Sequence, residues 1–298
     1  MRAIRLRLSI RRVVCISYMD RCLINWGVTH VDLTNKTVLL TGAGGGIGQA
    51  LALALAKKGA KLCLVGRNEQ AMQLLRQHLP HPERHAIAVM QTYSDDEIGA
   101  LASSFNMNGK LDILINNAGC SHFALFEQHS FEDIREQIRT NIEIPALLTR
   151  ALLSEINPGG IVLNIGSIFG EIGHPAWSVY SATKAAIHRF SEALGRELQG
   201  SGISVLYAAP RATETSLNNE DVYALNRKLG NGMDSPGFVA ARIIRLLETE
   251  QKRYRFGAME RLFVKLNAWF PAVVDGALGK KLPVIRAFAR RTNGGESE

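Results

Sequence analysis

From residue 36 to about residue 208, short apolar runs alternate with longer stretches in which apolar residues return every three or four positions. The runs at 37–40, 61–65, 86–90, 111–116, 161–165 and 204–208 have strand length and are apolar almost throughout. Between them, 46–58, 69–79, 95–105, 131–156 and 178–199 carry the helical period; in the last, Ile187, Phe190, Leu194 and Leu198 fall on one face. Gly59 stands where the first helix must stop, a left-handed cap signal. Strands apolar on both faces, each followed by a helix, predict an α/β fold: a doubly wound parallel sheet of the Rossmann type, with helices on both faces.

Composition agrees with one such unit. The chain has 298 residues, 46% hydrophobic and 21% charged, enough to bury a sizeable core. The net charge of +8 is uneven: residues 1–19 hold five Arg and no acid, 20–251 hold 20 basic and 23 acidic residues, and 252–291 hold 10 basic and 2 acidic. The body is therefore mildly acidic and the ends are basic. That distribution argues against nucleic acid, which needs a basic recognition element beside base-reading side chains; a membrane surface fits the basic ends better. Cys15, Cys22, Cys63 and Cys120 have neither CxxC spacing nor a zinc-like set of His, so reduced, non-ligating thiols in a cytoplasmic protein are expected, with no metal. No apolar run approaches the roughly 18 residues a spanning helix needs.

These shifts suggest three segments. Residues 1–31 are an Arg-rich extension, expected to be disordered, with Met19 a plausible start and a targeting or membrane-surface arm as the alternative. Residues 32–257 form the Rossmann-type unit. Residues 258–298 are a basic, amphipathic helical extension, suited either to a membrane interface or to packing on the domain or a partner subunit.

The first predicted strand runs into Thr41-Gly42-Ala43-Gly44-Gly45-Gly46-Ile47-Gly48, and a helix follows at once. Glycines there let the backbone turn sharply and approach a pyrophosphate, whose charge the helix N-terminus then receives. The second strand ends Leu64-Val65-Gly66-Arg67-Asn68. An acid at its end would bind a ribose 2′-hydroxyl, whereas Arg accommodates a 2′-phosphate. Arg67 therefore argues for NADP(H) over NAD(H), the plain alternative being a solvated loop residue.

Downstream lie Asn116-Asn117-Ala118-Gly119, Asn141, Ser167 and Tyr180-Ser181-Ala182-Thr183-Lys184. With the glycine loop, these residues resemble the short-chain dehydrogenase/reductase family over roughly residues 34–250. The resemblance implies a catalytic set of Asn141, Ser167, Tyr180 and Lys184. It also implies a cofactor site built from Thr41, Gly42, Gly44, Gly46, Ile47, Gly48, Arg67, Asn117, Ala118, Gly119, Tyr180, Lys184, Pro210, Thr213 and Thr215. In the family the lysine also contacts the nicotinamide ribose, and the residue matching Asn141 holds a water on the proton path. The chemistry is reasonable on its own terms. Positions 180 and 184 share a helix face, and a cation beside a phenol lowers its pKa from about 10 toward the range of a general acid/base. Ser167 is placed to donate a hydrogen bond to the substrate carbonyl. His174 and His188 have no matching role and read as surface or packing residues.

Two departures stand out. The family's Pro-Gly-x-x-x-Thr reads Pro210-Arg211-Ala212-Thr213-Glu214-Thr215 here. Arg211 would be strained at φ > 0; alternatively it faces the substrate or a cofactor phosphate. Met90-Gln91-Thr92-Tyr93-Ser94 replaces the usual Asp-Val adenine contact. Residues 211–235 are expected to form the substrate lid. The leading expectation is an NADPH-dependent oxidoreductase for a hydrophobic or acyl-chain carbonyl compound, a homodimer or homotetramer with possible peripheral membrane contact. A non-catalytic dinucleotide sensor, and epimerisation or dehydration on the same scaffold, remain open.

Overall fold

The structure, a computed structural model, describes residues 30–293. The expected disorder of the N-terminal extension falls almost wholly outside the described residues, but its last residue is docked: the Val31 N–H donates to the Glu248 carbonyl at 2.8 Å.

Seven strands form one sheet: β1 (Thr37–Thr41), β2 (Lys61–Gly66), β3 (Ala86–Val89), β4 (Leu111–Asn116), β5 (Ile156–Ile165), β6 (Ser204–Ala209) and β7 (Arg253–Arg255). Their order is β3-β2-β1-β4-β5-β6-β7 and every pairing is parallel. The chain winds outward from β1 to β3, then crosses back to β4 and winds the other way. The carboxyl ends of β1 and β4 thus flank the switch point, where such sheets bind ligands.

Among the described residues ten α-helices surround the sheet: α1 (Gly46–Lys57), α2 (Glu69–His78), α3 (Asp95–Asn108), α4 (Phe131–Ile138), α5 (Ile144–Leu152), α6 (Ser178–Glu197), α7 (Glu220–Leu229), α8 (Pro236–Glu248), α9 (Ala258–Trp269) and α10 (Pro271–Asn293). One core gathers Leu51 and Leu55 of α1, Ile243 and Leu247 of α8, and Leu40 and Leu64 of the sheet. The other gathers Ile98 and Leu101 of α3, Leu148 and Leu152 of α5, and Leu39 and Leu114. Consecutive residues of one strand, Leu39 and Leu40, serve opposite cores, which is why the strands read as unbroken apolar runs. Gly59 takes the left-handed cap conformation at φ +80°.

The boundaries depart from the periodic reading in two places. The 131–156 stretch is not one helix: between α4 and α5 lies a π-turn, Arg139–Glu143, and the Ile144 N–H bonds back to Arg139 O. Helical periodicity cannot reveal a single inserted residue. β7 carries only Arg-Tyr-Arg and no pattern of its own. It exists because β6 offers a free edge, held by Tyr207 N to Lys252 O at 3.0 Å and Phe256 N to Ala209 O at 3.1 Å.

A buried polar chain fixes α6 on the sheet. The Asn116 side-chain amide donates to Thr149 Oγ1 (3.0 Å) and Asn164 Oδ1 (2.8 Å), and the Asn164 amide donates to Ser191 Oγ on α6 (2.9 Å). Each donor of the Asn116 amide thus has a partner, while its Oδ1 has none.

Of the two placements open for the C-terminal extension, packing on the domain is what its inner face does. Ile285 and Ala289 of α10 are fully buried in one cluster with Val222 and Leu225 of α7 and with Trp177 and Tyr180. Arg291 and Thr292 bind Asp221 at the start of α7. Among the described residues no helix is long and apolar enough to cross a membrane.

Phe256, just past β7, is fully buried in the first core. Phe256→Ala is expected to cost about 3–5 kcal/mol in chemical denaturation; a loss under about 1 kcal/mol would mean that the seventh strand is not integral to the sheet.

Candidate active site

A single cavity of about 1300 Å³ runs along the carboxyl ends of the strands. Gly42, Gly44, Gly46, Ile47, Gly48, Arg67, Asn117, Ala118 and Gly119 line one part of it; Ser167, Tyr180, Lys184, Pro210, Thr213 and Thr215 line it as well. Two predicted residues do not reach the cavity wall. Thr41 is 1% exposed beneath the loop, where its hydroxyl oxygen accepts the Asn117 and Ala118 N–H groups, both at 3.0 Å, and donates to Ile115 O at 3.3 Å. It ties the ends of β1 and β4 together. Asn141 is 2% exposed in the π-turn.

The glycine loop fits a pyrophosphate for steric reasons. A Cβ on Gly48 would run into the Gly42 carbonyl, and one on Gly42, at φ +61°, would stand 2.7 Å from Ala118 Cα. Only an unsubstituted backbone packs this tightly and leaves the mouth of α1 open toward the cavity. Asn117 steadies the turn, its amide donating to Thr41 O (3.0 Å) and Gly42 O (3.1 Å).

Arg67 projects from the end of β2, 70% exposed, with Glu136 of α4 at 4.0 Å. Below it the Gln91 amide donates to Arg67 O at 2.8 Å, so the segment that replaces Asp-Val braces this corner. Tyr93 there sits at φ +52°, and the Glu97 carboxylate accepts the N–H groups of Gln91, Thr92 and Ser94.

Tyr180 and Lys184 lie in the first two turns of α6, both buried, with the Lys184 ammonium 5.7 Å from the Tyr180 ring centroid. Lys184 Nζ donates to Ile165 O at the end of β5 at 3.1 Å. Ser167, two residues on, accepts the Phe169 N–H at 3.1 Å, and its hydroxyl bonds the Tyr180 hydroxyl. The electrostatics correct the expectation drawn from spacing. Burial pushes the Tyr180 phenol up to about 12, opposed by the Ser167 hydrogen bond. The same burial pushes Lys184 down to about 8. For both groups the loss of water on burial is the largest effect.

Asn141 has its amide donors occupied, by Cys120 O at 2.9 Å and Thr183 Oγ1 at 3.0 Å, and its Oδ1 accepts the Cys120 N–H at 3.0 Å. Both Asn141 Oδ1 and Lys184 Nζ converge on Gly119, 3.1 and 3.3 Å from where its Cβ would stand. Only the second lone pair of Oδ1 is left to meet a water.

Arg211 is neither strained nor free. It is absent from the positive-φ residues, and its guanidinium bonds Asp234 Oδ1 at 2.8 Å and Glu260 Oε1 at 3.2 Å. The arginine thus clamps the loop after β6 to α9, and from that clamp it also lines the cavity. His188 is a packing residue, stacked on Tyr207 at 4.5 Å and paired with Glu171 at 3.3 Å. His174 stacks on Phe169 at 4.6 Å inside the cavity wall. Cys120 shares a rim with His122 and Glu136, their ligand atoms within 4.8 Å of one another, though His122 Nε2 is already 3.0 Å from Glu136.

The substrate half of the wall was not legible in the motifs. It is apolar, built by Phe169 and Trp177, by Val222 and Leu225 of α7, and by Phe263 and Leu278 of the C-terminal helices. The periodic apolar positions of the extension were its only signal.

A parallel sheet with this cradle and a half-buried Ser167 beside the buried Tyr180 and Lys184 defines a nicotinamide-dependent oxidoreductase acting between CH–OH and C=O groups. The chain belongs to the short-chain dehydrogenase family, whose model matches residues 36–225. It is 31% identical to a 3-oxoacyl-acyl-carrier-protein reductase of Rickettsia bellii, over 76% of this chain and 95% of that one. It is also 31% identical to a ketoacyl reductase of a Nostoc species, over 73% and 77%. A solved short-chain dehydrogenase from Streptomyces avermitilis superposes with TM-score 0.70 at 30% identity, covering 85% of this chain and 98% of that one.

The depressed Lys184 value carries a pH signature. Between about 8 and 10.5 the unfolded chain holds this proton and the folded one does not, so unfolding free energy rises with pH across that window. Without cofactor, Lys184→Met is expected to melt above the wild type at neutral pH. That advantage should fade as the pH climbs from about 8 to about 10.5; a gap independent of pH would contradict the burial cost assigned to Lys184.

Proposed function

We propose that the protein is an NADPH-dependent reductase of hydrophobic or acyl-chain ketones, with Tyr180 as its proton donor. The observation that carries the reading is a buried Tyr180 bonded to Ser167, beside Lys184, lining a cavity to which Phe169, Trp177, Val222, Leu225, Phe263 and Leu278 give an apolar surface.

The bound dinucleotide would supply the hydride that goes to the carbonyl carbon. Gly42, Gly46 and Gly48 would hold its pyrophosphate, and Lys184 would bind its ribose. Arg67 supports the phosphorylated form, because a guanidinium at the end of β2 meets a 2′-phosphate with charge-assisted hydrogen bonds. Ser167 holds the substrate oxygen. Tyr180 Oη gives that oxygen its proton as the C–H bond forms, so that a ketone becomes an alcohol. A phenol pushed up to about 12 holds its proton at neutral pH, ready for the carbonyl oxygen. Lys184 supplies positive charge to the phenolate left behind, and Asn141 anchors the π-turn that holds this end of the proton path.

The relatives' names, both reductases of ketoacyl groups, favour a ketone over the substrates of an epimerase or dehydratase. The intact Ser, Tyr and Lys favour an enzyme over a dinucleotide sensor. Peripheral contact with membranes belongs to the same reading, since such substrates partition into lipid.

With NADPH and a panel of ketones and 3-oxoacyl thioesters, loss of nicotinamide absorbance is expected, and Tyr180→Phe should slow it at least about a hundredfold. Turnover that survives the substitution refutes Tyr180 as the donor. Arg67→Ala should raise KM for NADPH about tenfold to a hundredfold and leave NADH unaffected. Equal effects on the two cofactors would remove the case for NADPH.

A further inference from the structure

The C-terminal helices have a second face that the fold does not use. Met259, Leu262, Phe263, Trp269, Phe270 and Val273 are all exposed, Trp269 by 80%, and no comparable concentration of large exposed apolar side chains occurs elsewhere among the described residues. On α9, positions 259, 262, 263, 266 and 269 form one stripe, three or four residues apart. Beside the stripe, Glu260 is engaged with Arg211. Exposing such a stripe to water is unfavourable, and contiguous apolar patches of this kind mark interaction surfaces.

Charge selects the occupant. Residues 252–291 hold ten Lys and Arg against Glu260 and Asp275 alone. Arg253, Arg255 and Arg291 are paired with Glu192, Glu171 and Asp221 of the domain. Arg261, Lys265, Lys280, Arg286 and Arg290 are exposed. An isologous contact with a second copy would bring these cations against one another. A surface that is apolar within and anionic at its boundary meets both features at once, and Trp is the residue best suited to the level of lipid headgroups.

The stripe is also the cavity's rim. Met259 and Phe263 line the cavity while remaining exposed, and Val274, Ala277 and Leu278 continue the apolar wall inward. We infer that α9 and the start of α10 dock the enzyme on an anionic lipid surface, with the cavity opening onto that surface so that a lipid-dissolved ketone enters sideways. The inference about entry rests on the reductase reading; the docking does not.

The test uses the full chain with phosphatidylglycerol-containing vesicles, with pure phosphatidylcholine vesicles as control. The protein is expected to co-sediment with the anionic vesicles at low salt and to be released by high salt, because exposed charges are screened. Trp269→Glu/Phe270→Glu, outside the cavity wall, should weaken that binding at least about tenfold, as should Lys265→Glu/Lys280→Glu. Both variants should keep wild-type turnover of a small water-soluble ketone, which also shows that they fold. For a long-chain ketone held in the vesicles, the wild type should act faster than either variant. Failure to bind anionic vesicles, or binding that neither double substitution weakens, overturns the docking. So does a patch that proves to join two copies or to capture a soluble acidic protein while leaving the vesicles unbound. Vesicle binding with no reduction of any ketone leaves the docking standing and refutes the reductase.

Discussion

Gly170 has no space for a side chain: a Cβ there would stand 2.5 Å from the carbonyl carbon and oxygen of Lys184. The segment after β5 is pressed against the turn of α6 that carries the lysine, and the rest of the site follows from that approach. Ser167 reaches Tyr180 because the segment cannot move away, and Lys184 reaches Ile165 O for the same reason. The helix in turn cannot slide, since Asn164 holds Ser191 from below. Three residues separated in sequence thus share one small volume through backbone contact and buried amide bonds rather than through attraction among themselves. The pKa values agree, both groups having shifted in the direction that burial dictates.

The same logic explains Arg211. Where the family resemblance led one to expect a glycine, the guanidinium spans Asp234 and Glu260 and joins the loop after β6 to the C-terminal helices. With Arg291 and Thr292 on Asp221, the chain fastens α9 and α10 over the substrate half of the cavity at both ends. The extension therefore serves as a wall of the active site. An apolar wall made from the chain's most basic segment links the chemistry inside the cavity to the surface outside it.

Much of this protein was written in its sequence. Six of its strands and the helices between them follow from period alone, because a strand buried on both faces must be apolar throughout and a helix on a sheet must be apolar on one side. The glycine loop was legible because steric exclusion is a property of residue type. Tyr180, Lys184 and Ser167 were legible because their spacing is bound to a strand, a loop and a helix start of fixed length. What tertiary structure alone decided has no local signature. β7 forms because β6 had a free edge; the π-turn inserts one residue without altering composition. Thr41 and Asn141 hold backbone beneath the site, since whether a polar side chain faces a cavity or a neighbouring backbone depends on which segments lie across from it. The sign of the Tyr180 shift was likewise beyond reach: spacing shows that a cation is near, but only packing shows how much water has been removed from both groups, and here the loss of water is the larger effect.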